Sequence, residues 1–179
     1  THARFALADI RTRELQLFKK FKVSEFTSLE AAAASYLSLA GCRPARGCFA
    51  IAGPVGGEVL RLTNANWSFT RATVGEATGV SELSFINDFE AQARSLPLLT
   101  EGDFHKVGGE RAEPQATKAV VGPGTGLGVA ALVWTSAGWS PVSGEGGHAG
   151  FAAEHAEEFD IFTRLQREFG HVSAERVIS

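Results

Sequence analysis

The chain has 179 residues, a formal net charge of −3 and a pI near 6.0, with 44% hydrophobic and 21% charged residues. This balance suits a globular soluble protein and argues against a disordered chain. It carries no basic patch of the kind that nucleic acid or an anionic membrane surface selects, and no apolar run near the ~20 residues that span a bilayer. Thr1 to Ile10 shows no secretory signal. Cys42 and Cys48 do not match zinc-ligand spacing and read as reduced thiols, which fits a cytoplasmic protein. There is no methionine, the chain opens in an apolar segment (Phe5 to Ala8), and it closes in a predicted helix. The expectation is a segment cut from something longer.

In chain order, Arg4 to Ala8 predicts a strand, and Glu14 to Val23 one or two more after a tight connection. Thr27-Ser28-Leu29-Glu30 has the form of a capping box with Thr27 as cap, opening an alanine-rich helix that Gly41 ends. Gly47 to Ala52 reads as a strand buried on both faces, as in parallel sheets. Gly53 to Gly57 is a turn, and Glu58 to Leu62 a returning strand. Thr70 caps a short helix ending near Gly79. Leu83 to Ile86 is an apolar strand, Asn87-Asp88 stands at its C-terminal end, and a helix over Phe89 to Ser95 follows. The polar stretch from Glu101 to Gln115 sets a domain boundary near residue 98, giving a small α/β domain over 1–98 and the first part of a larger one over 99–179. Lys118 to Val121 and Val129 to Trp134 read as strands around a glycine loop. Glu154 to Phe169 is an amphipathic helix with Phe159, Phe162, Leu165 and Phe169 at helical spacing. Ser173 caps a last helix from Ala174. The mixture defines an α/β chain.

Four segments carry candidate chemistry. Gly122-Pro123-Gly124-Thr125-Gly126-Leu127-Gly128 lets backbone N–H groups approach an anion, although it matches neither the P-loop nor the dinucleotide fingerprint; the plainer reading is a tight hairpin. Asn87-Asp88 lies where open α/β sheets bind ligands, and Asp88 there can take a proton from an attacking hydroxyl; the plainer reading is a helix cap. Gly144-Glu145-Gly146-Gly147-His148 pairs a carboxylate with an imidazole on an irregular loop, which suits a polyol's adjacent hydroxyls; the plainer reading is a solvated loop. Gly53-Pro54-Val55, with Thr63-Asn64-Ala65-Asn66-Trp67, reads as a sugar-site edge or simply as a hairpin turn beside a core Trp.

In order and spacing, these segments, with Thr1-His2-Ala3-Arg4-Phe5-Ala6-Leu7 and His171-Val172-Ser173-Ala174-Glu175-Arg176, resemble the bacterial glucokinase family over essentially the whole chain. The resemblance implies an actin-like ATPase (ribonuclease H-like) α/β fold of two domains. It implies transfer of the γ-phosphoryl of ATP to the 6-hydroxyl of glucose, with Asp88 as the general base. Asn87, Glu145, His148 and Glu175 then hold the other hydroxyls. Thr1, Gly124, Thr125 and Gly126 face the ATP phosphates, and Mg²⁺ is held mainly through those phosphates and water, with no dedicated protein ligand set. The family also implies a homodimer. Of the family's first phosphate loop, Asp-x-Gly-Gly-Thr-Asn, only Thr1 stands here, followed by His2. The expectation is that the chain by itself does not turn over ATP. Two alternatives stand beside this resemblance. One is a sugar kinase of the ROK group, although no cysteine follows Cys48 to build that group's zinc motif. The other is a sugar-binding regulator without catalysis.

Overall fold

In the computed structural model, which describes residues 2–62, 65–109, 113–124 and 126–179, the chain opens with an antiparallel hairpin of β1 (His2–Ala8) and β2 (Leu15–Lys22). Helix α1 (Leu29–Ala40) follows. Its N-cap is Ser28, whose Oγ accepts from the Ala31 N–H at 3.2 Å, one residue later than the expected Thr27. Glu30 does not close a capping box; its Oε1 accepts from the Thr73 hydroxyl at 2.6 Å and so ties α1 to the start of α2. Gly41 ends α1 with φ 64°, a left-handed conformation that glycine adopts without penalty.

Strand β3 (Arg46–Ile51) pairs in parallel with β6 (Glu82–Asn87), register Phe49 with Phe85 and Ile51 with Asn87. Between them, β4 (Val59–Arg61) and β5 (Ser68–Thr70) form a small antiparallel ladder, and α2 (Arg71–Thr78) runs from the Thr70 cap to Gly79. The segment after the Gly53 turn therefore pairs forward with β5. The expectation that β3 is buried on both faces is not met: Arg46, Cys48 and Ala50 are exposed. The core lies on one face only. There Leu29, Ala32, Ile51, Leu60, Trp67, Phe69, Val74 and Phe85 cluster, with the Phe85 ring 5.1 Å from Phe49 and 5.8 Å from Phe69. Burial of side chains of this size stabilises by about 1.5–3 kcal/mol each. Strands β1 and β3 belong to separate sheets, and a cavity of about 1250 Å³ is lined by both.

Helix α3 (Asp88–Ser95) begins directly after β6. Beyond it, β7 (Lys118–Pro123), β8 (Leu127–Thr135) and β9 (Gly138–Gly144) form an antiparallel meander. The strands run further into the glycine segment than expected, because Gly122 pairs with Gly128 and Pro123 with Leu127. Strand β9 has no counterpart in the sequence expectation: glycines at both ends and an internal proline hide its alternation. Helix α4 (Ala156–Phe169) starts two positions after the expected Glu154, since the Glu158 carboxylate accepts from the Glu154 and His155 N–H groups and ends the preceding loop. Its Phe159 and Phe169 remain exposed. Helix α5 (Ala174–Ile178) is capped by Ser173, as expected.

The chain divides into two compact units, Thr1–Asp88 and Phe89–Ser179, whereas the polar stretch had placed the division near residue 98. Helix α3 accounts for the difference. The Phe89 ring lies against the paired glycines Gly122 and Gly128, so close that a Cβ on either would overlap it, and Glu90 accepts from the Ser143 hydroxyl at 2.9 Å. Among the described residues, no helix is long and apolar enough to cross a membrane.

Candidate functional site

In the first unit, the parallel pair β3–β6 delivers Asn87 and Asp88 to the C-terminal edge of the strands, where the backbone stops pairing and the helix begins. Both side chains are half-buried. Asn87 Nδ2 donates to the Gly53 carbonyl at 3.4 Å. Gly53 has φ 136°, a conformation that side chains rarely adopt, so the Gly-Pro turn is a fixed neighbour of Asn87. Arg71 holds that turn from the other side: its guanidinium donates to the carbonyls of Val55 at 2.7 Å and Gly57 at 3.1 Å and lies 5.6 Å from the Phe85 ring centroid. Nothing in the sequence around Arg71 signals this role, since the contact joins residues far apart along the chain. Asp88 is also among the residues lining the 1250 Å³ cavity.

Trp67 belongs to the core. It is 5% exposed, and its indole N–H donates to the Phe26 carbonyl at 3.3 Å. Trp67 itself therefore fits the reading as a core Trp. Thr63 and Asn64 of the same loop lie outside the described residues, as do Thr1 and Thr125.

In the second unit, three of the expected sugar ligands meet. Gly146–His148 is one turn of 3₁₀-helix, closed by the His148 N–H donating to the Glu145 carbonyl at 2.9 Å. This turn places the Glu145 carboxylate 3.5 Å from His148 Nδ1. On the other side, Glu175 Oε1 stands 3.7 Å from His148 Nε2. The imidazole thus sits between two carboxylates from different segments. Both distances exceed a good N–H···O hydrogen bond, so acceptor capacity is left over for a ligand's hydroxyls. Glu145 and His148 are exposed, and Glu175 is about a quarter exposed.

Residues 171–175 fasten the loop. Gly150 bridges to Ser173, the Phe151 N–H donates to the Val172 carbonyl at 2.9 Å, and the Ala174 N–H donates to the Ala149 carbonyl at 3.0 Å. His171 Nε2 donates to the His148 carbonyl at 3.1 Å. His171 was not singled out from the sequence; a histidine ahead of a capping serine carries no signal of a backbone contact 23 positions upstream.

The glycine loop joins the same cluster. Leu127 N–H donates to Glu175 Oε2 at 2.8 Å. Gly147 is buried against the Leu127 carbonyl with no room for a Cβ. The Gly124 N–H donates across the loop to the Gly126 carbonyl at 2.8 Å. Among the described residues no group of His, Cys, Asp and Glu is arranged to hold a metal ion.

A carboxylate–imidazole–carboxylate cluster hydrogen-bonded to a glycine loop, on an α/β scaffold, offers the donors and acceptors of a class of site that suits hydroxylated ligands. The comparisons with known proteins make this specific. A family model described as Glucokinase matches residues 1–179, and the chain belongs to that family. It is 40% identical over 179 residues to the glucokinase of Tolumonas auensis and 43% identical over 181 residues to that of Citrobacter koseri, in both cases covering 100% of this chain and 56% of the relative. The chain therefore spans about half the length of the curated relatives it matches. The crystal structure of a glucokinase from an Antarctic psychrotroph superposes with a TM-score of 0.83 at 35% identity, covering 100% of this chain and 57% of that one. The glucokinase from Balamuthia mandrillaris in complex with glucose gives a TM-score of 0.67 at 21% identity over 98% of this chain and 56% of that one, a likeness of fold.

Proposed function

We propose that this chain is the part of an ATP-dependent glucokinase that carries the sugar site, the catalytic base and one phosphate loop. It is a cytoplasmic enzyme with the actin-like two-domain fold. The observation that carries the proposal is the meeting of Glu145, His148 and Glu175 at one point, with the glycine loop hydrogen-bonded to the last of them. A hexose offers adjacent hydroxyls that donate to carboxylates and accept from an imidazole N–H. Membership of the glucokinase family supports glucose as the hexose and ATP as the donor.

In the proposed reaction, the carboxylate of Asp88 takes the proton of the sugar's 6-hydroxyl as that oxygen attacks the γ-phosphorus. The bond from the γ-phosphorus to the bridging oxygen breaks, and ADP leaves with the electron pair. Asn87, held by the Gly53 carbonyl, and the Glu145–His148–Glu175 cluster orient the ring, and this positioning is most of what phosphoryl transfer asks of a protein. Mg²⁺ would supply charge neutralisation on the ATP phosphates and would be held through them and water.

Asp88→Asn tests the assignment in a protein of the relatives' full length. We expect kcat to fall by ~10²–10⁴-fold with glucose KM little changed. A loss confined to KM gives Asp88 a binding role and removes it as the base.

A further inference from the structure

We infer that Glu175 is a positioning residue for the glycine loop as well as a sugar ligand, so that the state of the loop and the affinity for sugar are coupled through one side chain. This rests on the reading of Glu145, His148 and Glu175 as the sugar site. The two oxygens of Glu175 are divided between the two functions. Oε2 accepts the Leu127 N–H at 2.8 Å, a contact spanning 48 positions of sequence, and Oε1 is turned to His148 at 3.7 Å, with capacity for a sugar hydroxyl.

The loop and the carboxylate are in close contact here. A Cβ on Gly126 would lie 2.7 Å from Glu175 Oε2 and 3.2 Å from its Cδ, so a side chain at 126 would displace the carboxylate from the Leu127 N–H. On the opposite side the Leu127 carbonyl is pressed against Gly147 of the sugar loop. Residues 126 and 127 are therefore gripped between the sugar loop and the carboxylate. The backbone that carries Glu175 is tied down: Ser173 Oγ accepts from the Arg176 N–H at 3.2 Å, and the Ala174 N–H is bound to the Ala149 carbonyl at 3.0 Å. A ligand that draws on Oε1 acts on the same carboxylate that holds the loop, and by linkage a change in the loop alters sugar affinity to the same degree.

The test measures glucose affinity of the full chain by calorimetry, without nucleotide, for the wild type, Gly126→Ala, Glu175→Asp and the double variant. Gly126→Ala, a change in the phosphate loop, should weaken glucose binding by about 5–100-fold. In the Glu175→Asp background, where the shorter side chain withdraws from residue 126, the same substitution should have much less effect. Unchanged affinity in Gly126→Ala, or the same loss in both backgrounds, overturns the coupling. A second arm needs no sugar and no loop variant. Amide exchange at Leu127 should be slow in the wild type and should accelerate in Glu175→Ala with the β7–β9 ladder intact; no acceleration overturns the inference. A wild-type chain that binds no glucose defeats the sugar-site reading, and the exchange arm still decides whether Glu175 holds the loop.

Discussion

The first unit is built around a core and the second around a site. In the first, Leu60 and Val74 are fully buried, and aromatic rings from β1, β3, β5 and β6 pack face to face or tilted at 5–6 Å. In the second, the buried hydrophobic residues among those described are Ala93, Ala130, Leu132 and Val172, while Val121, Trp134, Val142, Phe159, Ile161 and Phe169 stay exposed. Yet the second unit holds the cluster of Glu145, His148 and Glu175, the glycine loop and the backbone straps that join them. The contrast separates two means of placement in this chain, apolar packing in the first unit and hydrogen bonds with close backbone approach in the second. Short-range geometry does the work: one turn of 3₁₀-helix, a bridge at Gly150, and glycines whose missing Cβ atoms let Phe89, Glu175 and the Leu127 carbonyl approach closely.

Two substitutions sharpen the contrast. Leu60→Ala removes a side chain only 1% exposed at the centre of the first unit. It should cost about 2–5 kcal/mol, read as a drop in the denaturant midpoint with an unchanged slope. A loss under ~1 kcal/mol would mean that the core collapses around the gap, and the division of labour between the units would weaken. Phe159→Ser, on the exposed face of α4, should in this chain shift stability by no more than about 0.5 kcal/mol. A loss comparable with that of Leu60→Ala would show that this face is packed, and the second unit would no longer count as thinly cored.

The same contrast explains what the sequence disclosed. Local rules located α2 with its Thr70 cap, the ends of α1 and α4 at Gly41 and Gly170, and the Ser173 cap of α5, because each depends on a few neighbouring residues. The ladder partners were less accessible: β4 pairs with β5 rather than returning to β3, and β9 was missed, since pairing is decided by distant residues and by which face finds cover. At the site, the residue types of Glu145 and His148 pointed to hydroxyl chemistry, and the family resemblance added Glu175; their meeting in one cluster came only with the fold. The parts that depend on long-range contact had no local signature: Arg71 on the Gly53–Gly57 turn, His171 on the His148 carbonyl, and Phe89 on the paired glycines, which turned the glycine loop from a question of turn geometry into one of packing.

The most direct measurement is a calorimetric titration of the chain with glucose, wild type against Glu145→Gln. Saturable heat should appear in the wild type, and the substitution, which keeps the shape and removes the charge, should weaken affinity by about 10–100-fold, the range expected for one charge-assisted hydrogen bond. Equal affinity in the two proteins would contradict the placement of the sugar between Glu145, His148 and Glu175.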